Sequence, residues 1–323
     1  MQIKDLVIGT TCEITLVVKS ATARETKAKK PYLALELYDG VDTIAGNYWD
    51  WVSGNIPEVN AILDVTAQVG EWQGVKQLNI KALRTNKTRH LAEFAPAPDQ
   101  DISEVYKNAY DMMSKVEDDM LRTVALAALE ELRAAWLIVP GAKGVHHAYT
   151  GGTLIHSYSV AQIAQAMSQA IPEANEDLCV VGAFLHDIGK LYTYRLNGIN
   201  IEMTDEGNLY DHIFMGAEFI GNFTEGLVDC NKYSNMKKLE LLRHIILSHH
   251  GKLEFGSPVV PQCIEAHIVN FADNLDANVE QIRAAARKVP TGTKWTERLF
   301  TVNGKAHLDP NYVEYVMGCG KEQ

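Results

Sequence analysis

GAFLHDIGK (182–190) sets the imidazole of His186 and the carboxylate of Asp187 side by side in an otherwise apolar run that reads as a buried helix. Burying two such groups is costly unless something holds them, and a metal ion is a common holder. Outward from this pair lie His156 in GGTLIHS, His212 in DHIFMGAEF, His249-His250 in LSHHG and Asp273 in NFADNLDA. Each sits in a segment with an apolar helical face. His156, Val160, Ile163 and Met167 share one stripe by the i, i+4, i+7, i+11 rule, so His156 points inward. His212, Met215, Gly216 and Phe219 align in the same way. Leu242, Ile246 and His249 share a face, with His250 about 100° further round, which favours His249 as the inward group. Ala266, Asn270, Asp273 and Ala277 form a stripe that turns Asp273 toward the core.

A lone inward histidine is more often a hydrogen-bonded core residue than a ligand. Five convergent cases change that balance. An ionised Asp in an apolar site is unstable without a partner charge, so a core holding two of them calls for a cation.

The order H…HD…D with HDIGK at its centre resembles the HD-domain metal-dependent phosphohydrolases. PGAKGVHHAYTGGTLIHS, GAFLHDIGKLYTY, TDEGNLYDHIFMGAEFI and LLRHIILSHHGKLEFGSPVVPQCIEAHIVNFADNLDA narrow the resemblance to the YhaM-type 3′-to-5′ exoribonucleases, over most of the chain. In that family an OB-fold precedes the HD domain. The resemblance implies His156, His186, Asp187 and Asp273 at a first metal, with Asp187 as a bridge, and His212 and His249, with His250, at a second. It also implies Mn²⁺. Imidazole-rich ligation favours Mn, Fe, Co, Ni or Zn over Mg or Ca, and two ions about 3.5–4 Å apart can bind both attacking and leaving oxygens of a phosphodiester. In one place the chain departs from the pattern: Asp211 stands before His212 where the resemblance leads to a glycine. Lys190 is expected either to pair with Asp187 or stabilise phosphoryl charge, a catalytic role, its bland alternative being a helix-end cation. Lys143, His146 and His147, just before the Gly151-Gly152 turn, are expected at substrate phosphates or else in an exposed basic loop.

The formal net charge of −11 would repel a polyanion if spread evenly, so its distribution matters. Residues 1–95 hold 11 Lys+Arg and 11 Asp+Glu, whereas 96–323 hold 19 against 30. The first part reads as five short strands: 11–21, 31–40, 42–51, 62–72 and 75–85, separated by Gly, Asp or Pro signals. Five strands in so short a stretch suit an OB-fold, whose strand 2–3 face and loops commonly bind oligonucleotides. Lys19, Arg24, Lys27, Lys29 and Lys30 make the end of the first run and its following loop the most basic stretch of the chain. Tyr32, Tyr38, Tyr48, Trp49 and Trp51 are candidate stacking platforms for bases, or else strand packing.

The expected architecture is therefore multidomain, an N-terminal all-β OB-fold barrel plus a C-terminal all-α HD domain. Residues 1–90 are expected to bind nucleic acid, 91–100, with prolines at 96 and 98, to form a linker, and 101–323 to be the HD-domain phosphohydrolase. No apolar run reaches the roughly 18 residues of a membrane span, and the N-terminus lacks a signal-peptide pattern. Five cysteines without CxxC spacing fit free thiols in a cytoplasmic protein. The activity so implied is metal-dependent 3′-to-5′ exonuclease action on single-stranded RNA or DNA, releasing nucleoside monophosphates. An HD phosphohydrolase of small nucleotides would need no strand-binding module, and a non-catalytic strand-binding protein would have no reason to keep buried His and Asp groups.

Overall fold

In the computed structural model, which describes residues 1–95, 98, 100–142, 147–229, 232–286, 289, 294–299 and 302–308, the five strand-like runs close into a barrel. The strands are β1 (Thr11–Glu25), β2 (Pro31–Tyr38), β3 (Thr43–Tyr48), β4 (Ile62–Trp72) and β5 (Val75–Thr85), in the order β1-β2-β3-β5-β4. All pairings are antiparallel except β3 with β5. This is the five-stranded OB-fold barrel expected. Alternation places Leu16, Val18, Leu33, Leu35, Leu37, Leu63, Val65, Leu78 and Ile80 inside.

β1 is longer than its expected 11–21 because it serves two partners: Thr11–Val17 pair with β4 and Val17–Glu25 with β2. A bulge between Val18 and Ser20 bends it where the partners change. Arg24 therefore lies on the strand, while Lys27, Lys29 and Lys30 occupy the turn. Tyr38 is buried beside Val17, Ile62 and Phe94, and its hydroxyl donates to Gly40 O at 2.7 Å. It is packing and not a base platform.

The chain divides into two compact units, Met1–Ala97 with Asn197–Asn200, and Pro98–Leu196 with Ile201–Gln323. The stretch expected as a linker begins with a 3-10 turn, Leu91–Phe94, whose Phe94 side chain joins the first unit's apolar packing.

The second unit is built from α1 (Ile102–Met113), α2 (Asp119–Glu131), α3 (Arg133–Trp136), α4 (Gly152–Gln169), α5 (Glu176–Leu185), α6 (Lys190–Thr193), a hairpin of β6 (Tyr194–Asn197) and β7 (Asn200–Met203), α7 (Asp205–Phe223), α8 (Tyr233–Ser248) and α9 (Ile264–Ala286). Among the described residues, this hairpin, whose turn Asn197–Asn200 is grouped with the first unit, and two isolated bridges, Trp295 with His307 and Leu299 with Gly304, add to the expected helical composition. Side-chain caps start several helices: Asp101, Asp118, Asn175 and Thr204 each accept from backbone N–H groups of the following turn. α5 is apolar all round, and every residue from Leu178 to Leu185 is buried, as a central helix requires. Trp136 packs on Phe184 with ring centroids 5.0 Å apart, and its indole N–H donates to Ala128 O at 3.2 Å.

α5 stops at Leu185. His186 is its C-cap, Asp187 to Gly189 form a turn, and Lys190 begins α6. The pair thus sits on a turn rather than inside a helix. The turn is pressed against α7: a Cβ on Gly189 would lie 1.9 Å from His212 O and 2.7 Å from Gly216 N. Only glycine fits, and α7 itself bends there, with Asp211 at φ 60°, ψ 162°. That region is close to glycine-only and costs a side-chain-bearing residue of order 1–3 kcal/mol.

Candidate metal centre

Five segments of the helical unit deliver the polar groups. α4 supplies His156, the α5–α6 turn His186 and Asp187, α7 His212, the end of α8 His249 and His250, and α9 Asp273. His156, His186, Asp187, His212 and His249 are all buried. Ligand-capable atoms gather within 4.8 Å of one another in sets that include His156-His186-Asp187, His186-His249-Asp273 and His212-His249-His250.

Each imidazole is held by its Nδ1. His186 donates to Ala183 O at 2.6 Å, His249 to Ile246 O at 2.7 Å and His250 to Phe255 O at 2.8 Å. A carbonyl can only accept, so the proton is on Nδ1 and the Nε2 lone pair is left for another partner. His156 Nδ1 lies 2.7 Å from Asp276 Oδ2, and His212 Nδ1 lies 2.5 Å from Asp211 Oδ1. At His212 the ionised carboxylate imposes the same tautomer, whereas His156 has a carboxylate facing each ring nitrogen, Asp276 at Nδ1 and Asp187 and Asp273 at Nε2. Five rings thus turn Nε2 the same way, the arrangement by which proteins orient imidazoles for a metal.

Asp187 presents a different set to each oxygen. Oδ2 lies 3.3 Å from His156 Nε2, 3.3 Å from His186 Nε2 and 2.6 Å from Lys190 Nζ. Oδ1 lies 3.4 Å from His212 Nε2 and 3.5 Å from His249 Nε2. Asp273 Oδ1 lies 3.2 Å from His156 Nε2. Asp187 Oδ1, His212 Nε2 and His249 Nε2 are all buried without a hydrogen-bond partner. Lone-pair atoms facing one another without protons between them are unfavourable unless a cation sits among them, so the residues fit a divalent ion.

The electrostatics match for the carboxylates and for three of the imidazoles, while His156 is held in its charged form. Burial alone would raise the Asp187 carboxyl, but Lys190 and His186 beside it hold it well below the usual carboxylate range. Burial likewise opposes ionisation of Asp273, and the His156 hydrogen bond with the surrounding imidazoles overrides it, keeping this carboxyl low as well. Burial pushes the His212, His249 and His250 imidazoles down, toward the neutral form a ligand needs. Burial would push His156 down too, but Asp187, Asp273 and Asp276 hold it well above the ordinary histidine range. The His212 hydrogen bond brings the Asp211 carboxyl down to about 2.

A cavity of about 1030 Å³ opens on these groups, lined among others by Asp187, Lys190, Tyr194, His212, His250, Phe255, Asp273, Asn274, Asn278, Arg298 and Asn303. Arg298, which donates to Asn303 Oδ1 at 2.7 Å, brings a cation from the segment after residue 288 to the wall. Asn274 and Asn278 come from α9, one turn apart.

His147, expected at a substrate phosphate, is buried, with Nε2 2.7 Å from Asp276 Oδ2 and Nδ1 2.7 Å from the Tyr149 hydroxyl. Its place is inside because the Gly152 backbone seats it: a Cβ there would lie 2.0 Å from His147 O. Lys143 and His146 lie outside the described residues. Asp276 was not anticipated from the sequence; it lies on α9 three residues after Asp273 and also accepts from Ser159. Of the expected strand-binding residues, Lys19, Arg24, Lys27, Lys29, Lys30, Tyr32 and Trp49 belong to the barrel unit. There Tyr32 stacks on Trp49 with centroids 4.5 Å apart, Lys19 Nζ lies 5.6 Å from the Tyr38 ring centroid, and Lys30 Nζ lies 3.8 Å from Asp50. Arg24, Lys27 and Lys29 are exposed.

Fold and site together define an HD-domain protein, and the HD domain family matches residues 153–278. Across the whole chain the similarity is more specific. The 3′-5′ exoribonuclease YhaM of Oceanobacillus iheyensis is 30% identical over 315 residues, 95% of this chain and 96% of the relative. The chain belongs to the family of that exoribonuclease. No solved structure matches it.

Proposed function

We propose that the chain is a metal-dependent 3′-to-5′ exonuclease that hydrolyses single-stranded RNA to nucleoside monophosphates, with its chemistry in the helical unit and strand binding on the barrel. The observation that carries the catalytic half is that the two oxygens of buried Asp187 face different pairs of imidazoles. One oxygen faces His156 and His186 and the other faces His212 and His249. A carboxylate so placed would contribute to holding both ions of a pair. His156, His186, Asp187 and Asp273 would hold the first ion, and His212, His249 and His250 with Asp187 the second. Manganese is the ion we assign, on the family resemblance; the imidazole-rich donor set itself favours a first-row transition ion over Mg²⁺ or Ca²⁺ without singling one out. When bound, such a pair supplies Lewis acidity toward the phosphodiester and lowers the pKa of water.

The side chains do the rest. Lys190, 2.6 Å from Asp187 Oδ2, fixes that carboxylate in its ionised form and brings a cation to the cavity where phosphoryl charge develops. Arg298 offers a second cation to a phosphate, and Tyr194 and Phe255 offer rings to a terminal base. Asn274 and Asn278 present amides to sugar or base edges. On the barrel, Lys19, Arg24, Lys27, Lys29 and Lys30 would follow the backbone and Tyr32 with Trp49 would stack bases. We place the protein in the cytoplasm, in keeping with its free thiols at Cys12, Cys179 and Cys263. Among the described residues no helix is long and apolar enough to cross a membrane.

Purified protein with Mn²⁺ should shorten a 3′-hydroxyl single-stranded RNA from its 3′ end and leave the same strand intact when the 3′ end is blocked. Hydrolysis of free nucleotides without shortening of the strand would overturn the exonuclease reading, and the matching DNA strand in the same assay reads the sugar preference.

A further inference from the structure

Asp211 combines three features that no neighbouring residue shares. Its backbone, at φ 60°, ψ 162°, adopts a conformation that suits glycine, in the middle of a helix. Its Oδ1 accepts from its successor twice, from the His212 backbone N–H at 2.6 Å and from the His212 ring at 2.5 Å. The other nitrogen of that ring, Nε2, is buried without a hydrogen-bond partner and lies 3.4 Å from Asp187 Oδ1.

The bend itself follows from the tight seat of α7 on the Gly189 turn, and glycine at 211 would satisfy it without strain. A carboxylate there must therefore do something that a hydrogen cannot. His186, His249 and His250 take their Nδ1 partners from backbone carbonyls, whereas His212 takes its own from the Asp211 carboxylate. Without the carboxylate, the His212 ring loses the acceptor that fixes both its tautomer and its rotation.

We propose that Asp211 is a positioning residue for the second metal ion: its carboxylate holds His212 with Nε2 deprotonated and aimed at the site that Asp187 Oδ1 and His249 share. The inference rests on the two-ion reading above. Loss of an orienting carboxylate of this kind typically weakens metal affinity by about 10–100-fold.

The test is titration of metal-free full-length protein with Mn²⁺ alone, by calorimetry and equilibrium dialysis, with thermal melting of the metal-free form alongside. Asp211→Gly should retain or raise the metal-free Tm, because the strain is relieved, while the second Mn²⁺ binds at least about tenfold more weakly and the first is unchanged. Asp211→Asn, whose amide oxygen can still accept from the ring, should fall between the two. His212→Ala serves as the reference for loss of the second ion. A second-ion affinity in Asp211→Gly within about threefold of wild type, with His212→Ala still impaired, would overturn the proposal alone. If wild type takes up only one ion, or His212→Ala leaves both intact, the two-ion reading falls as well. A lower metal-free Tm in Asp211→Gly would mean that the carboxylate is needed for the fold, and would equally overturn the positioning role.

Discussion

Replacing Asp187 by Asn would keep the side-chain volume and remove the charge on which two sets of imidazoles converge. The Asp187→Asn variant is expected to lose activity by about a thousandfold and to bind Mn²⁺ weakly, while the barrel still binds a strand. Activity on RNA, metal content and strand binding check these three expectations, and loss of strand binding would tie the units more closely than proposed. At this scale the convergence of these groups was legible because helical spacing shows which side chains point inward. His156, His212, His249 and Asp273 could be read from their stripes, and His186-Asp187 from the apolar run around them. The groups that hold the rings were not legible. Backbone carbonyls leave no mark on a sequence, and Asp276 reads as one acidic residue among several on α9. His147 misled for a related reason: position in a loop next to a glycine pair says nothing of burial, and only packing against Gly152 and Asp276 shows that it faces inward.

Among the elements, the start of α2 shows how a single residue couples helix and packing. Asp118 accepts from the backbone N–H groups of Met120 at 3.1 Å and Leu121 at 3.0 Å, and pairs with Lys238 of α8. Asp118→Ala should therefore lower stability by about 1–2 kcal/mol, measured by chemical denaturation. Burial raises the Asp118 carboxyl, but Lys238 and the two backbone donors outweigh it and hold its pKa below the usual carboxylate value. A group lowered in this way contributes stability that is present above the unfolded pKa of about 3.9 and is lost as pH falls through the folded one. The difference between wild type and Asp118→Ala should accordingly be constant near neutrality and shrink below about pH 4; a difference that grows in acid would contradict the pairing. Element types were largely readable, since strand-like runs between Gly, Asp and Pro signals gave all five barrel strands. What alternation could not supply was the length of β1, set by its change of partner at the bulge, or the break after Leu185, set by the contact of the Gly189 turn with α7.

At the scale of the whole molecule, the distribution of charge is what favours the barrel as the strand-binding part in the function proposed above. All of the excess negative charge lies in residues 96–323, while the barrel is neutral overall and gathers Lys27, Lys29 and Lys30 in the turn between β1 and β2. If those three side chains neutralise phosphates, each releases counterions from the strand, and the logarithm of affinity falls with the logarithm of salt by roughly 0.7 per contact on a single strand. The triple replacement of Lys27, Lys29 and Lys30 by Gln should then weaken single-strand binding at low salt and flatten that slope by about 2. Fluorescence anisotropy with a labelled oligonucleotide across a salt series measures both quantities. Tyr32 and Trp49, already stacked on each other, can contribute only their outer faces, so their removal should lower affinity at every salt concentration without changing the slope. Equal slopes for the wild type and the lysine variant would move the electrostatic contact away from this turn, and the basic wall group Arg298 in the helical unit would be the next place to look for it.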